Sequence, residues 1–327
     1  MRETEAGASG LDPRLFDPAA IDPETADFNA RLDATLATIP QPHTVPPPLT
    51  RKAREEGRGV FGPIVRSKLA TERAIPGAGG DITLRVLTPE TVRGVYLYIH
   101  GGGFVFGAAH HQDPLLERIA RGRDVAVISV EYRLAPEHPY PAGPDDCEAA
   151  ALWLARHARE EFGTDRLVIG GLSAGAYLSV LTLLRLRDRH GFTGFAAANL
   201  EAGVYDLSMT PSARRWGDHY LVLNTPFIEW CSRQFAPPER HRDPEVSPLY
   251  ADLSGLPPAL FTIGTLDPLL DDNLFMASRW AAAGNRAELA IYPGGVHAFN
   301  AFPLALADQA NARIAAFIEE AVGTGGR

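Results

Sequence analysis

Six short apolar runs limit the fold of this chain more than any other feature. They are GVYLYIH (94–100), VAVISVEY (125–132), RLVIGGLS (166–173), AAANLEAGVY (196–205), PALFTIGTLD (258–267) and AELAIYPG (287–294). Continuous runs of this length suit strands buried on both faces, as in a parallel sheet. Segments 113–122, 145–161, 175–188, 272–283 and 305–321 separate most of them and carry apolar residues at i, i+3, i+4 spacing. Alternating strand and helix predicts an open, mostly parallel sheet with helices on both faces. Ligands of such sheets bind beyond the C-terminal ends of the strands. Ahead of the first run, VRSKLATERAI and ITLRVLTP alternate apolar and polar residues about a Gly77-Ala78-Gly79-Gly80 turn, which predicts an antiparallel hairpin.

Two regions stand outside the alternation. Residues 1–50 are rich in Pro and Asp, with one amphipathic helical stretch through Phe28, Leu32 and Leu36. They read as an N-terminal cap segment, appended to a catalytic domain spanning 51–327. Residues 206–250 mix aromatic residues with six prolines, Pro211, Pro226, Pro237, Pro238, Pro244 and Pro248. They read as a helical cap inserted over the strand ends.

Composition excludes some classes. The net charge of −9, with Lys and Arg scattered, argues against a nucleic-acid partner. Two cysteines, Cys147 and Cys231, make no disulfide framework, and neither has metal ligands beside it. No run of 18 apolar residues is present, so no stable membrane insertion is expected. The first residues lack a basic stretch followed by an apolar one, so no secretory signal is expected and the cytoplasm is the default location.

The chemistry lies at the strand ends. Gly171-Leu172-Ser173-Ala174-Gly175 follows one strand and opens a helix. By itself this pattern also fits a glycine-rich helix start with a capping serine. Between a strand and a helix, however, the turn presents the hydroxyl at the top of the sheet, where the helix N-terminus favours negative charge. His100-Gly101-Gly102-Gly103 ends an earlier strand, and its glycines let backbone N–H groups approach a ligand. Gly102 and Gly103, with Ala174 after the serine, would provide the donors that a tetrahedral oxyanion needs. A phosphate-binding loop is the alternative, but no Lys-Ser/Thr follows the glycines.

HGGGFVFG (100–107), EYRLAPEHPYPAGPDD (131–146), GLSAG (171–175), LPPALFTIGTLDPLLDD (256–272) and GGVHAF (294–299) occur in this order. Together they resemble the hormone-sensitive lipase family of α/β-hydrolases over residues 60 to 320. The resemblance implies the α/β-hydrolase fold, with Ser173 as nucleophile, His297 as base and Asp267 as the acid orienting it. It implies an oxyanion hole of Gly102, Gly103 and Ala174, supported by His100, Gly101, Gly171 and Gly175. The chain departs from the family at Leu172, usually acidic, and at Ala176, usually glycine.

Phe104, Leu172 and His219 are candidate pocket residues. Asp271 and Asp272 read as solvated acids in a first helical turn, and His110 and His111 as structural. The expected activity is a carboxylesterase acting on small to medium, short-acyl esters without metal or cofactor. Its partner would be a small-molecule ester, and the resemblance allows a homodimer. An amidase or acyltransferase would share the nucleophile chemistry. A non-catalytic receptor is disfavoured because serine, acid and histidine are all present.

Overall fold

The computed structural model describes residues 11–323. Eight strands form one sheet in the order β1-β2-β4-β3-β5-β6-β7-β8. The hairpin pair is β1 (Ala70–Gly77) and β2 (Gly80–Leu87), antiparallel to each other, and β2 also runs antiparallel to β4 (Val125–Glu131). The remaining strands, β3 (Gly94–Ile99), β5 (Leu167–Leu172), β6 (Phe195–Glu201), β7 (Ala259–Leu266) and β8 (Ala287–Val296), pair in parallel. Every residue of β3 and β5 is buried, as the unbroken apolar runs require.

Helices cover both faces. On one side α4 (Ala142–Phe162), α5 (Ala174–His190) and α8 (Leu270–Ala282) pack onto the larger core. On the other, α3 (Asp113–Arg123) and α9 (Ala305–Val322) cover Tyr96, Tyr98 and Val168. Trp280 of α8 is fully buried, edge-on to Phe261 at 5.7 Å, and its indole N–H donates to the Pro257 carbonyl at 2.9 Å. Trp280→Ala should therefore cost about 3–5 kcal/mol of stability, read as a lowered urea midpoint at unchanged m-value.

Residues 11–69 lie outside the sheet but pack against the strand ends. Helix α1 (Pro23–Leu36) begins with Asp22 accepting from the Thr25 N–H at 2.9 Å. Its Leu32 and Leu36 bury against Leu221, Val222, Phe299 and Phe302, and Asn29 donates to the Gly294 carbonyl at 2.8 Å. Helix α2 (Pro47–Glu55) carries Arg51, which donates to the carbonyls of Val105 and Ala135, each at 2.8 Å, and pairs with Glu137. One guanidinium thus joins the N-terminal segment, the glycine-rich loop and the APEHP segment. Residues 1–10 of the N-terminal cap reading lie outside the described residues. Within 206–250 the helices are α6 (Pro211–Arg215) and α7 (Thr225–Phe235), the latter capped by Asn224.

Candidate active site

Ser173 sits between β5 and α5 with φ 59° and ψ −118°, a backbone region that non-glycine residues rarely occupy. The turn closes because its flanking residues have no side chain. A Cβ on Gly171 or Gly175 would lie 2.1 or 1.9 Å from the Ile99 carbonyl oxygen. The strain holds the hydroxyl above the sheet, within reach of residues from two other strand ends.

His297 follows β8 and Asp267 follows β7. The Ser173 Oγ lies 3.0 Å from Nε2 of His297, and Nδ1 of the same ring lies 2.8 Å from Oδ2 of Asp267. In the tautomer these partners require, Nδ1 donates to the carboxylate and Nε2 accepts from the serine. All three side chains are buried. The other oxygen of Asp267 accepts from the Leu269 N–H at 2.9 Å, which fixes the carboxylate.

The glycine loop lies alongside. Gly102 has φ 122°, and a Cβ there would meet the Phe106 carbonyl at 2.2 Å. Among the described residues, the amides of Gly102 and Gly103 donate to no protein acceptor. Gly103 backs onto the buried thiol of Cys231. The loop is anchored by His100, whose ring stacks on Tyr132 at 4.2 Å and whose Nδ1 lies 2.9 Å from the Gly101 carbonyl. Burial lowers its pKa to about 4, so the ring is neutral. The Tyr132 hydroxyl donates to the His100 carbonyl at 3.0 Å, and Arg133 grips Asp146 through its backbone N–H and its guanidinium Nε and Nη2. These contacts account for much of the EYRLAPEHPYPAGPDD segment.

A cavity of about 1630 Å³ opens onto Ser173 and His297. Much of its wall is apolar, from Ile39, Val45 and Leu49 on one side and Tyr220, Phe227 and Ile228 on the other. Phe104 and Leu172 line it. Phe104 stacks on Phe235 at 4.0 Å, and Leu172 packs with Ala202, Ile263 and Ala298. Ala176, in place of the usual glycine, is fully buried in the core.

Two expectations need correction. His219 is not in the cavity wall. Its side chain is exposed, its Nε2 lies 2.8 Å from Asp33 of α1, and its ring is parallel to that of Trp216. It pins the inserted segment to the N-terminal helix. Asp272 is not a solvated acid but is fully buried. It accepts from the N–H groups of Tyr205 and Asp206 and from the Thr210 hydroxyl, at 2.6, 3.0 and 2.5 Å. Burial outweighs these donors and raises its pKa to about 7. Asp271 accepts from the Ser212 N–H at 2.8 Å. Both acids of α8 therefore tether the start of the inserted segment.

Glu55 of α2, His110 and His111 bring three ligand-type atoms together at the cavity rim. The Nε2 atoms of His110 and His111 lie 2.9 and 2.8 Å from Oε1 of Glu55. Arg66 already supplies a cation there, 3.1 Å from the His110 ring nitrogen and 3.4 Å from Glu55. Desolvation lowers the His111 pKa to about 4, against the pull of Glu55. The cluster ties α2 to the loop leading into α3.

Residues 96–301 match the family described as alpha/beta hydrolase fold. The chain belongs to that family. Within it, the chain is a bacterial-type carboxylesterase of the hormone-sensitive lipase branch, as its similarities to characterised proteins bear out. It is 35% identical to the carboxylic ester hydrolase LipN of Mycobacterium tuberculosis, over 72% of this chain and 65% of LipN. It is 35% identical to the ethyl acetate hydrolase of Pseudomonas putida, over 64% of this chain and 67% of that protein. The structure of a hyperthermophilic esterase from the archaeon Pyrobaculum calidifontis superimposes with a TM-score of 0.83 at 32% identity, covering 93% of this chain and 99% of that one. Among the described residues of this carboxylesterase, no helix is long and apolar enough to cross a membrane.

Proposed function

We propose that the protein is a serine carboxylesterase that hydrolyses small to medium, short-acyl esters through an acyl-enzyme on Ser173. The observation that carries this reading is the relay of Ser173, His297 and Asp267, with contacts of 3.0 and 2.8 Å, beside the free amides of the glycine loop. His297 takes the serine proton as Oγ attacks the ester carbonyl carbon. The amides of Gly102, Gly103 and Ala174 receive the oxyanion, with Ala174 at the positive end of α5. The tetrahedral species collapses as His297 returns the proton to the departing alcohol. Water then enters, gives its proton to His297, and attacks the acyl carbon to release the acid and restore the serine. Asp267 holds the imidazole in the required tautomer and stabilises its charged form.

The cavity has room for more than acetate, and its apolar lining suits an uncharged ester. The short-acyl preference draws on the likeness to the ethyl acetate hydrolase. The N-terminal segment and residues 206–250 act together as the cap, because both line the cavity and meet through Asp33 and His219.

Hydrolysis of p-nitrophenyl esters from acetate to palmitate tests the reading. The expected result is rapid turnover of the short chains, declining steeply toward palmitate. Fastest turnover of palmitate would overturn the acyl preference, and no turnover of any chain would overturn ester hydrolysis.

A further inference from the structure

The mechanism leaves one buried ionisable group beneath the site unused. Glu201 is the last residue of β6, only 3% exposed, and it touches both Ser173 and the turn that follows His297. Its backbone carbonyl accepts the N–H of Ser173 at 2.7 Å. Its side chain accepts from the Asn300 amide at 2.5 Å, and Asn300 lies three residues after His297 in the same turn. The other carboxyl oxygen accepts from Asn199 at 2.7 Å, and the Asn199 amide also donates to the Tyr96 hydroxyl at 3.1 Å. Asn311 of α9 completes the string by donating to the Asn300 carbonyl at 2.9 Å.

This polar string crosses a layer otherwise built of Val168, Ala197, Ile314 and Phe317. Packing alone does not call for it, because an apolar side chain at 201 would fill the layer without a desolvated carboxyl. The neighbouring groups are Tyr96 and Tyr98 of β3, Asn199 of β6, Thr262 of β7 and Asn300 of the turn, with Asn311 of α9 behind Asn300. Glu201 makes no ion pair with any Lys or Arg among the described residues. Burial raises its pKa to about 7, against the pull of the two amide donors.

We infer that Glu201 is a positioning residue for ester hydrolysis. Its carboxyl clasps the turn that carries His297 to the strand end that holds Ser173, and its ionised form favours the protonated histidine that develops in each transition state. The inference rests on Ser173 and His297 having the roles proposed above. The carboxyl acts through Asn300, which it holds in the turn that carries His297, and a charge held there favours the positive imidazole of the transition state.

The test is kcat and KM for the native enzyme, Glu201→Gln, Asn300→Ala and Ser173→Ala, with the fold of each variant checked by thermal melting. Glu201→Gln keeps the size of the side chain and removes only its charge. It should lower kcat about tenfold and change KM by less than about twofold. Asn300→Ala, which opens the clasp, should lower kcat at unchanged KM. A folded Glu201→Gln with native kcat would overturn the inference while leaving the serine mechanism intact. If that variant does not fold, Asn300→Ala decides: a folded Asn300→Ala with lowered kcat at native KM supports the inference, and one with native kcat overturns it. Activity retained by Ser173→Ala would overturn the serine reading and this inference with it.

Discussion

Ser173→Ala should reduce kcat toward p-nitrophenyl acetate on the order of 10⁶-fold, with the fold and melting temperature unchanged. The size of the effect follows from the division of labour at the site. The alanine leaves the glycine-loop amides, His297 and Asp267 in place, so substrate still binds and residual electrostatic catalysis persists. What disappears is the atom that forms the covalent bond: among the described residues, Nε2 of His297 has the Ser173 hydroxyl as its hydrogen-bond partner, at 3.0 Å. Stability should hold or improve slightly, because the strained φ of 59° at residue 173 is set by the turn and not by the hydroxyl. KM should change little. Stopped progress curves with the purified variant, at enzyme concentrations high enough to detect slow turnover, measure the ratio. His297→Ala combined with Ser173→Ala should be no worse than either alone, because the two act as one unit.

Asp267→Asn should lower kcat about 10⁴-fold while KM stays near its native value. The carboxylate now accepts from Nδ1 of His297 at 2.8 Å and from the Leu269 N–H at 2.9 Å. An asparagine that keeps its oxygen toward Leu269 presents an amide N–H to His297. The ring must then place its proton on Nε2, where it can no longer accept from the serine. The loss should shrink when the reaction is assayed at higher pH, since hydroxide can partly replace the general base in deprotonating the nucleophile. A variant within tenfold of native kcat would mean that Asp267 does not orient the base.

How readable the site is from sequence depends on how local its determinants are. Ser173, the glycine loop and the strands that carry them are legible because each motif lies within eight residues, at a junction marked by a change in apolar period. His297 and Asp267 are isolated residues, placed by their order and by the segments around them. Residues that act by reaching across the fold are not legible. Arg51 meets Val105 and Glu55 meets His110 at 54 or more positions' distance, and nothing in a proline-rich segment marks them out. Asp272 resembles any acid in a first helical turn, and only the backbone of 205–206 folding over it turns it into a buried tether. His219 lies among aromatic residues of an inserted segment, where the sequence alone does not set which side faces the cavity. Glu201 is a single acid inside an apolar run, with no motif around it, and its importance appears only when Asn300 is brought beside it.

The measurement that bears most directly on the central claim is to trap the covalent intermediate. The protein is mixed with p-nitrophenyl acetate, quenched in acid within the first turnovers, digested and analysed by mass spectrometry. The expected result is one acetyl group per chain, on the peptide containing Ser173, formed with a stoichiometric burst of p-nitrophenol and absent from Ser173→Ala. Hydrolysis that proceeds without that adduct, or an acetyl group carried by another residue and still present in Ser173→Ala, would contradict it.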